Sequence, residues 1–125
     1  MEFDVEPRVG YLYAKVSGRF DLAGAHAFYR QMLQIAARQR QSRMLLDCTG
    51  VTGEMTVADR LAFGSFMAEE QQHMLGQLAE APQVAILAVP PIMDPGRFTQ
   101  TVANNRGVRM RASESLQELL SWLGV

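Results

Sequence analysis

Alternating apolar and polar positions open the chain and predict a β-hairpin. Residues 2–6 alternate weakly, Pro7-Arg8 is a turn signal, and residues 9–17 alternate more strongly. A period of two is typical of a half-buried strand. The inward face of the second strand is expected to carry Leu12, Ala14 and Val16.

Four later segments have helical spacing of their apolar residues. The first extends to about Arg40, and the second begins as a capping box, with Asp59 three residues after Thr56. The third is expected to begin with Asp94 as the capping residue and Pro95 at the first helical position, where a helix tolerates proline. Phe98 in this helix is expected to face inward. The residues expected to cap the four helices are Asp21, Thr56, Asp94 and Ser113.

Two apolar runs without alternation, 44–47 and 84–89, separate these helices and indicate strands buried on both faces. Residues 108–111 alternate and predict an edge strand. The order ββαβαβαβα predicts an α/β domain with a mixed sheet of about five strands, in which an antiparallel hairpin precedes parallel strands. Residues 1–125 are expected to form one domain, because two cores would each be too small.

Composition narrows the function classes. The net charge is −1, and nucleic-acid binders usually carry a basic surplus, so we expect no nucleic-acid partner. The amino end is acidic and no run of about 18 apolar residues occurs, so the sequence predicts no leader and no membrane span, and a cytoplasmic location is the default. A single cysteine, Cys48, excludes an internal disulfide.

The segment 47–56 is the first candidate binding region, because it is expected to leave a central strand and enter a helix amino terminus. Such positions suit ligands, and anions in particular. One interpretation is a ligand or partner site, and the other is a connecting loop whose threonines cap the helix. The candidate residues are Asp47, Thr49, Gly50, Thr52, Gly53 and Thr56.

The second helix is the other candidate region. Its apolar stripe is expected to contain Val57, Leu61, Gly64, Met67, Ala68 and Leu75. Phe63 and Phe66 widen that stripe, so the helix has more apolar surface than one contact face needs. Phe63, Phe66 and Met67 are therefore candidate partner-binding residues, and a homodimer is possible. The methionines Met55, Met67, Met74 and Met93 could line an adaptable apolar groove or fill the core.

Chemically active groups are sparse. Asp47 could be a general base or could brace a loop, and bracing is favoured because no second acid is paired with it. Cys48 is expected to be a buried, unreactive thiol. His26 and His73 lie on different helices without a third ligand, so no metal site, cofactor or catalytic residue is predicted. Arg97 and Arg106, at the ends of the third helix, could meet an anionic group or an acidic partner.

Several stretches resemble a known family. They are Leu45-Leu46-Asp47-Cys48-Thr49-Gly50-Val51-Thr52-Gly53, Val84 to Val89, Asp94-Pro95-Gly96-Arg97-Phe98, Asn104-Asn105-Arg106-Gly107-Val108 and Leu119-Leu120-Ser121-Trp122-Leu123. These resemble the SpoIIAA-like proteins of the STAS group, named for sulfate transporters and anti-sigma-factor antagonists, in the wider CRAL-TRIO-like fold group. The resemblance covers nearly the whole chain.

The resemblance implies helices packed mainly on one face of the sheet and a non-enzymatic role in protein–protein regulation. It also implies a second possibility, a carrier of a small apolar or anionic ligand between the sheet and the second helix. Classical members carry a phosphorylated serine in an Asp-Ser-Ser-Gly stretch at the start of that helix. This chain reads Met55-Thr56-Val57-Ala58 there, so the phosphoserine switch does not carry over.

Overall fold

Five strands and four helices follow one another in the predicted order in the computed structural model, which describes residues 1–125. The strands are β1 (Glu2–Arg8), β2 (Tyr11–Arg19), β3 (Arg43–Thr52), β4 (Gln83–Leu87) and β5 (Arg109–Ser113). The helices are α1 (Leu22–Gln39), α2 (Val57–His73), α3 (Phe98–Asn105) and α4 (Leu116–Leu123).

The strands form one sheet in the order β1-β2-β3-β4-β5. β1 pairs with β2 antiparallel, and every other pairing is parallel. Met44 lies opposite Val84 and Leu46 opposite Ile86, so the two apolar runs are neighbouring strands with the same direction. The predicted hairpin and parallel centre are confirmed.

The sheet is buried on both faces, as the uninterrupted apolar runs predict. One face carries Leu12, Met44 and Val84 against helices α1, α2 and α3. The other face carries Leu45 and Ala85 beneath α4. The helices therefore lie mainly on one face, and the alternation of side chains along β3 assigns successive leucines to opposite cores.

Two predicted boundaries near the hairpin and the centre are wrong. The turn lies at Val9-Gly10 instead of Pro7-Arg8, because Gly10 adopts a φ of 89° that a tight turn requires and Pro7 still pairs with Leu12. Strand β3 extends to Thr52, well beyond the predicted end at Asp47, because residues 50–52 continue to pair with β2. Pro90-Pro91, which follows β4, contains a cis peptide bond.

The last two helices also begin later than predicted. The Asp94 carboxylate accepts a hydrogen bond from the backbone N–H of Phe98 at 3.1 Å, but Arg97 intervenes with a φ of 49°. Phe98, predicted to face inward, is 36% exposed. The cap of α4 is Ser115, whose hydroxyl accepts from the Glu118 N–H, while Ser113 is the last residue of β5.

Candidate functional site

The candidate site lies where β3 and β4 end and α2 begins. Because parallel strands present their carboxyl ends at one edge, the segments 53–56 and 88–97 are neighbours there. Arg60 on α2 contacts the second of these segments at residues 91 and 92. The site is therefore built from two loops and the first turns of one helix.

Asp47 lies before this region, within β3, and its carboxylate is fully engaged. Tyr13 donates its hydroxyl to Asp47 Oδ2 at 2.7 Å. Thr49 donates its hydroxyl at 2.6 Å and its backbone N–H at 3.1 Å to Oδ1. Both carboxylate oxygens have donors, so Asp47 braces β2 and β3, as the bracing interpretation predicted.

These hydrogen bonds also set the protonation of the pair. Burial alone would raise the pKa of Asp47, but the donors from Thr49 and Tyr13 outweigh it and lower the pKa below 3.8. Burial, reinforced by the hydrogen bond to Asp47, raises the pKa of Tyr13 to about 12. Asp47 is therefore an ionised acceptor at neutral pH and a poor proton acceptor for catalysis.

Strand packing and backbone conformation explain why glycine occurs at two positions of the segment 47–56. A Cβ on Gly50 would lie 3.1 Å from the Val16 carbonyl oxygen and 3.2 Å from Ser17 Cβ, because the register of β2 shifts there. The atoms that approach Gly50 closely therefore belong to the neighbouring strand, β2. Gly53 has a φ of 87° and turns the chain out of β3. Most of the predicted loop is therefore strand, and the connecting loop is 53–56.

Thr56 caps α2 as predicted. Its hydroxyl accepts a hydrogen bond from the Asp59 N–H at 3.0 Å, and Asp59 Oδ2 accepts from the Thr56 N–H at 2.9 Å. This reciprocal capping box satisfies two free N–H groups of the helix. Thr49 and Thr52 are exposed residues of β3. The capping interpretation accounts for Thr56 without a bound anion.

The buried face of α2 agrees with the predicted stripe only in part. Gly64 and Met67 are buried as the stripe predicted, and Phe63 is buried beside them, so Phe63 and Met67 cannot contact a partner. Val57 is 71% exposed and Leu61 is 44% exposed, although both were expected to face the core. Leu75 is also exposed and lies beyond the end of α2.

Phe66 is half-buried and packs across to α1. Its ring stacks on His26 with 3.9 Å between centroids and a 3° interplanar angle. Burial, together with the nearby Arg30 cation, lowers the pKa of His26. Arg30 donates to the buried Glu70 at 3.2 and 3.3 Å. Phe66 therefore joins α1 to α2 and leaves little area for a partner.

Arg60 is the site residue that sequence reasoning missed. It is only 7% exposed, and it donates to the Ile92 carbonyl oxygen at 2.6 Å and to the Pro91 carbonyl oxygen at 2.9 Å. Its guanidinium also lies 3.3 Å from Asp94 Oδ1. Its spacing could have indicated this burial, because Arg60 precedes Phe63 and Gly64 by three and four residues and therefore lies on the same face of the helix.

Arg97 and Arg106 occupy opposite ends of α3, as predicted. Arg97 is the residue before the first turn, and Arg106 is the residue after the last. Both are exposed, and neither makes an ion pair or a side-chain hydrogen bond with the rest of the chain. They are too far apart along the helix to form one anion site.

The remaining candidates have structural roles. Burial, with a contribution from the Asp47 charge, raises the pKa of Cys48 to about 12, so its thiol is neutral. His73 Nδ1 lies 3.7 Å from Glu70, and no three His, Cys, Asp or Glu side chains converge as metal ligands would. Met67, Met74 and Met93 are buried in the core.

Comparisons with known proteins define the fold. An anti-sigma factor antagonist from Mycobacterium paratuberculosis superposes with a TM-score of 0.59 at 15% sequence identity, over 99% of this chain and 94% of that one. The anti-sigma factor antagonist SpoIIAA in its unphosphorylated form gives a TM-score of 0.52 at 12% identity, over 99% and 98%. No protein-family model and no curated protein sequence matches the chain.

The chain therefore has the STAS fold of the anti-sigma factor antagonists, as the sequence motifs predicted. None of its helices is both long enough and apolar enough to span a membrane.

Proposed function

We propose that this protein is a non-catalytic regulatory module that binds another protein through the amino-terminal half of α2. The fold that it shares with anti-sigma factor antagonists supports a regulatory role. The observation that carries the proposal is the exposure of Val57 and Leu61 on adjacent turns of α2. Residues four apart lie on one helix face, so the pair offers a continuous apolar contact.

The partner-binding surface extends to the neighbouring loop. Val89, Pro90 and Pro91 are exposed after β4, and the Arg60 hydrogen bonds fix this segment beside α2. We call these three residues, together with Val57 and Leu61, the docking surface. A surface held in place before binding loses little conformational entropy on association.

The rim of the docking surface is acidic and hydroxyl-rich. Glu54, Thr52 and Thr56 are exposed, and Asp59 lies in the first turn of α2. Apolar centres with polar rims are the usual anatomy of protein interfaces. The proposed partner therefore has an apolar patch bordered by basic side chains, which would complement Glu54 and Asp59.

Side-chain chemistry supports a role without catalysis. Asp47 has donors on both oxygens, and Cys48 carries a neutral thiol, so the chain lacks a matched base and nucleophile at this edge. Regulation by phosphoserine at the start of α2 is not part of the proposal, because Thr56 is committed to the capping box.

A photo-crosslinking experiment tests the docking surface. A photoreactive amino acid replaces Leu61 in one variant and Leu116, which is 46% exposed on α4, in a matched control. In extract of the native host, we expect a specific adduct at position 61 only. Unlabelled wild-type protein should compete for it, and the Leu61→Asp variant should not.

Two results would contradict the proposal. One is an equal adduct pattern at positions 61 and 116, and the other is competition by Leu61→Asp as effective as by wild type. An adduct between two copies of this chain would instead assign the surface to a homodimer. Sedimentation of wild type and Leu61→Asp would then compare their masses directly.

A further inference from the structure

The two edges of the sheet differ in how the rest of the chain covers them. At the β5 edge, the side chains of Asn104 and Gln100 accept hydrogen bonds from the backbone N–H groups of Met110 and Ala112. Strand β1 forms the other edge and pairs only with β2. No side chain and no other backbone segment makes a hydrogen bond with the backbone of β1. The outer edge of β1 is therefore open to a further strand.

Alternate residues of β1 direct their backbone groups outward. In an antiparallel pair, every second residue of a strand bonds to the partner strand and the others point away from it. Proline has no N–H group, and within a sheet it lies where that group would face outward. Pro7 keeps its place in the register opposite Leu12, so Phe3 and Val5, in step with Pro7, also point outward. The edge thus offers the N–H and C=O groups of Phe3 and Val5 and the carbonyl oxygen of Pro7.

The side chains of Phe3 and Val5 hold this edge in place. Both are partly buried and pack against the main core. The rings of Phe3 and Phe28 make an edge-to-face contact with 4.7 Å between centroids. An edge strand that is already ordered loses little conformational entropy when another strand pairs with it.

An acidic row lies on the opposite face of β1. Glu2, Asp4 and Glu6 are exposed, and because they alternate along the strand their side chains share one face. Glu6 is paired with Arg8 at 2.8 Å. Lys15 lies opposite Asp4 in the register, but neither Glu2 nor Asp4 makes an ion pair within the chain. The amino-terminal half of the edge therefore carries two carboxylates without a cationic partner.

We propose that the outer edge of β1 binds an extended segment of another protein in which basic residues alternate with apolar ones. The segment adds to the sheet antiparallel to β1. Its lysine or arginine side chains lie beside Glu2 and Asp4, and its apolar side chains lie beside Phe3 and Val5. In this mode of recognition the main-chain hydrogen bonds supply affinity, and the alternating side chains select the partner.

A second copy of this chain fits the same edge poorly. Any pairing of two β1 strands that keeps Phe3 and Val5 on the core side of the sheet places the two acidic rows side by side. Like charges on opposed residues of neighbouring strands are destabilising, and charged side chains on an edge prevent pairing between copies. A basic partner removes this repulsion. The edge of β1 is separate from the docking surface on α2, and the experiment below measures peptide binding alone.

The probe is a blocked peptide of sequence TKVKVKT that carries a fluorophore, and fluorescence anisotropy at physiological ionic strength gives its affinity. Two peptides of equal charge are the controls, one methylated on the valine backbone nitrogens and the other on the lysine backbone nitrogens. In antiparallel addition only the valine N–H groups face β1. We expect the valine-methylated peptide to bind at least about tenfold more weakly than the probe, and the lysine-methylated peptide to bind about as tightly. Equal affinities of the two methylated peptides, or no saturable binding of the probe, would overturn the proposal.

Hydrogen exchange locates the bound peptide. The amide hydrogens of residues 3 and 5 should exchange more slowly when the probe is bound, and those of residues 110 and 112, on the opposite edge, should not change. Protection at residues 110 and 112 alone would place the peptide at the other edge and overturn the proposal. Protection of residues 3 and 5 that grows with protein concentration in the absence of peptide would assign the edge to a second copy, and would also overturn it.

Charge substitutions test the choice of partner. Glu2→Gln/Asp4→Asn should weaken binding of the probe by about fivefold, because two exposed pairings are lost. Glu69→Gln/Glu114→Gln removes the same charge at exposed positions outside β1, and should leave the affinity unchanged. Equal losses in the two double variants would mean that the peptide responds only to net charge, and would overturn the assignment of the basic residues to Glu2 and Asp4.

Discussion

Arg60 donates a hydrogen bond of 2.6 Å to the carbonyl oxygen of Ile92, and this contact joins α2 to the segment that follows β4. A second donor of the same guanidinium reaches Pro91. A buried arginine is favourable only when its donors are satisfied, and here two carbonyl oxygens and Asp94 satisfy them. The Arg60 side chain therefore helps to hold residues 91 and 92 of this segment against α2.

Replacing Arg60 with methionine should destabilise the fold by about 2–4 kcal/mol, because the carbonyl oxygens and Asp94 lose their partner. The stability of Arg60→Lys should lie between that of wild type and that of Arg60→Met, because a lysine ammonium cannot make the paired hydrogen bonds of a planar guanidinium. Urea denaturation measures the free energy of unfolding of each variant. Arg38→Met, at an exposed position of α1, is the matched control and should change it by less than about 0.5 kcal/mol. An Arg60→Met effect as small as that of the control would show that the contact does not hold the segment.

Hydrophobic periodicity predicted the element order and the strand pairing, because strands buried on both faces leave uninterrupted apolar runs such as 44–47. The rotation of α2 could not be obtained in the same way. Apolar residues surround much of that helix, so the stripe through Val57 and Leu61 was as plausible as the observed one. The observed rotation buries Phe63 and Met67, and it brings Arg60 to carbonyl oxygens of a segment that is distant in sequence.

The sequence predicted the region of the candidate site but not the residues that form it. The sequence analysis indicated the end of β3 and the start of α2, which the structure brings beside the 88–97 segment. The resemblance implied a possible ligand site between the sheet and α2, but no residue pattern predicted the lining of the pocket there, because residues distant in sequence form it, such as Phe28 and Met110. Gly50 was named as a candidate binding residue, and its close neighbours in the structure are Val16 and Ser17 of β2, where the strand register shifts in a way that no local pattern predicts.

Gly64 permits the close crossing of α2 and α3. A Cβ at this position would lie 2.8 Å from Val102 Cγ1 and 3.2 Å from the Thr99 carbonyl oxygen. Alanine improves helix propensity by about 1 kcal/mol, but overpacking against a β-branched side chain and a backbone oxygen costs about 1–3 kcal/mol. We therefore expect Gly64→Ala to lower the free energy of unfolding by up to about 2 kcal/mol.

A double-mutant cycle tests that explanation. Val102→Ala removes the Cγ1 methyl group at 2.8 Å but keeps Cβ at 2.9 Å. Gly64→Ala should therefore be only partly relieved in that background, with a coupling of about 0.5–1 kcal/mol. Thermal or urea unfolding of the four proteins gives the value. Strict additivity of the two substitutions would mean that the methyl groups of Val102 are not what excludes a side chain at position 64.

Two side chains of α3 accept hydrogen bonds from backbone N–H groups at the exposed edge of β5. Asn104 Oδ1 accepts from the Met110 N–H at 3.1 Å, and Gln100 Oε1 accepts from the Ala112 N–H at 2.7 Å. Unpaired edge groups promote association between sheets. The Gln100→Ala/Asn104→Ala variant should therefore exchange the amide hydrogens of residues 110 and 112 faster and self-associate at concentrations where wild type does not.

Hydrogen exchange resolved by residue, together with light scattering, measures both effects. Gln31→Ala/Gln34→Ala, on the exposed side of α1, removes the same number of polar groups and should change neither. Unchanged protection at residues 110 and 112 in the α3 variant would show that the side chains of Gln100 and Asn104 do not protect this edge.

The hydrogen bonds that Asp47 accepts from Thr49 and Tyr13 predict a pH dependence of stability. The folded protein holds the pKa of Asp47 below its usual value of 3.8, so ionised Asp47 stabilises the fold above that pH. This contribution is lost as the pH falls through the lower folded pKa. Asp47→Asn should therefore be less stable than wild type near pH 7, and the difference should shrink towards about pH 2. Urea denaturation across this range measures it. A stability difference between wild type and Asp47→Asn that stays constant with pH would contradict this prediction. It would mean that the charge of Asp47 does not contribute to the free energy of unfolding.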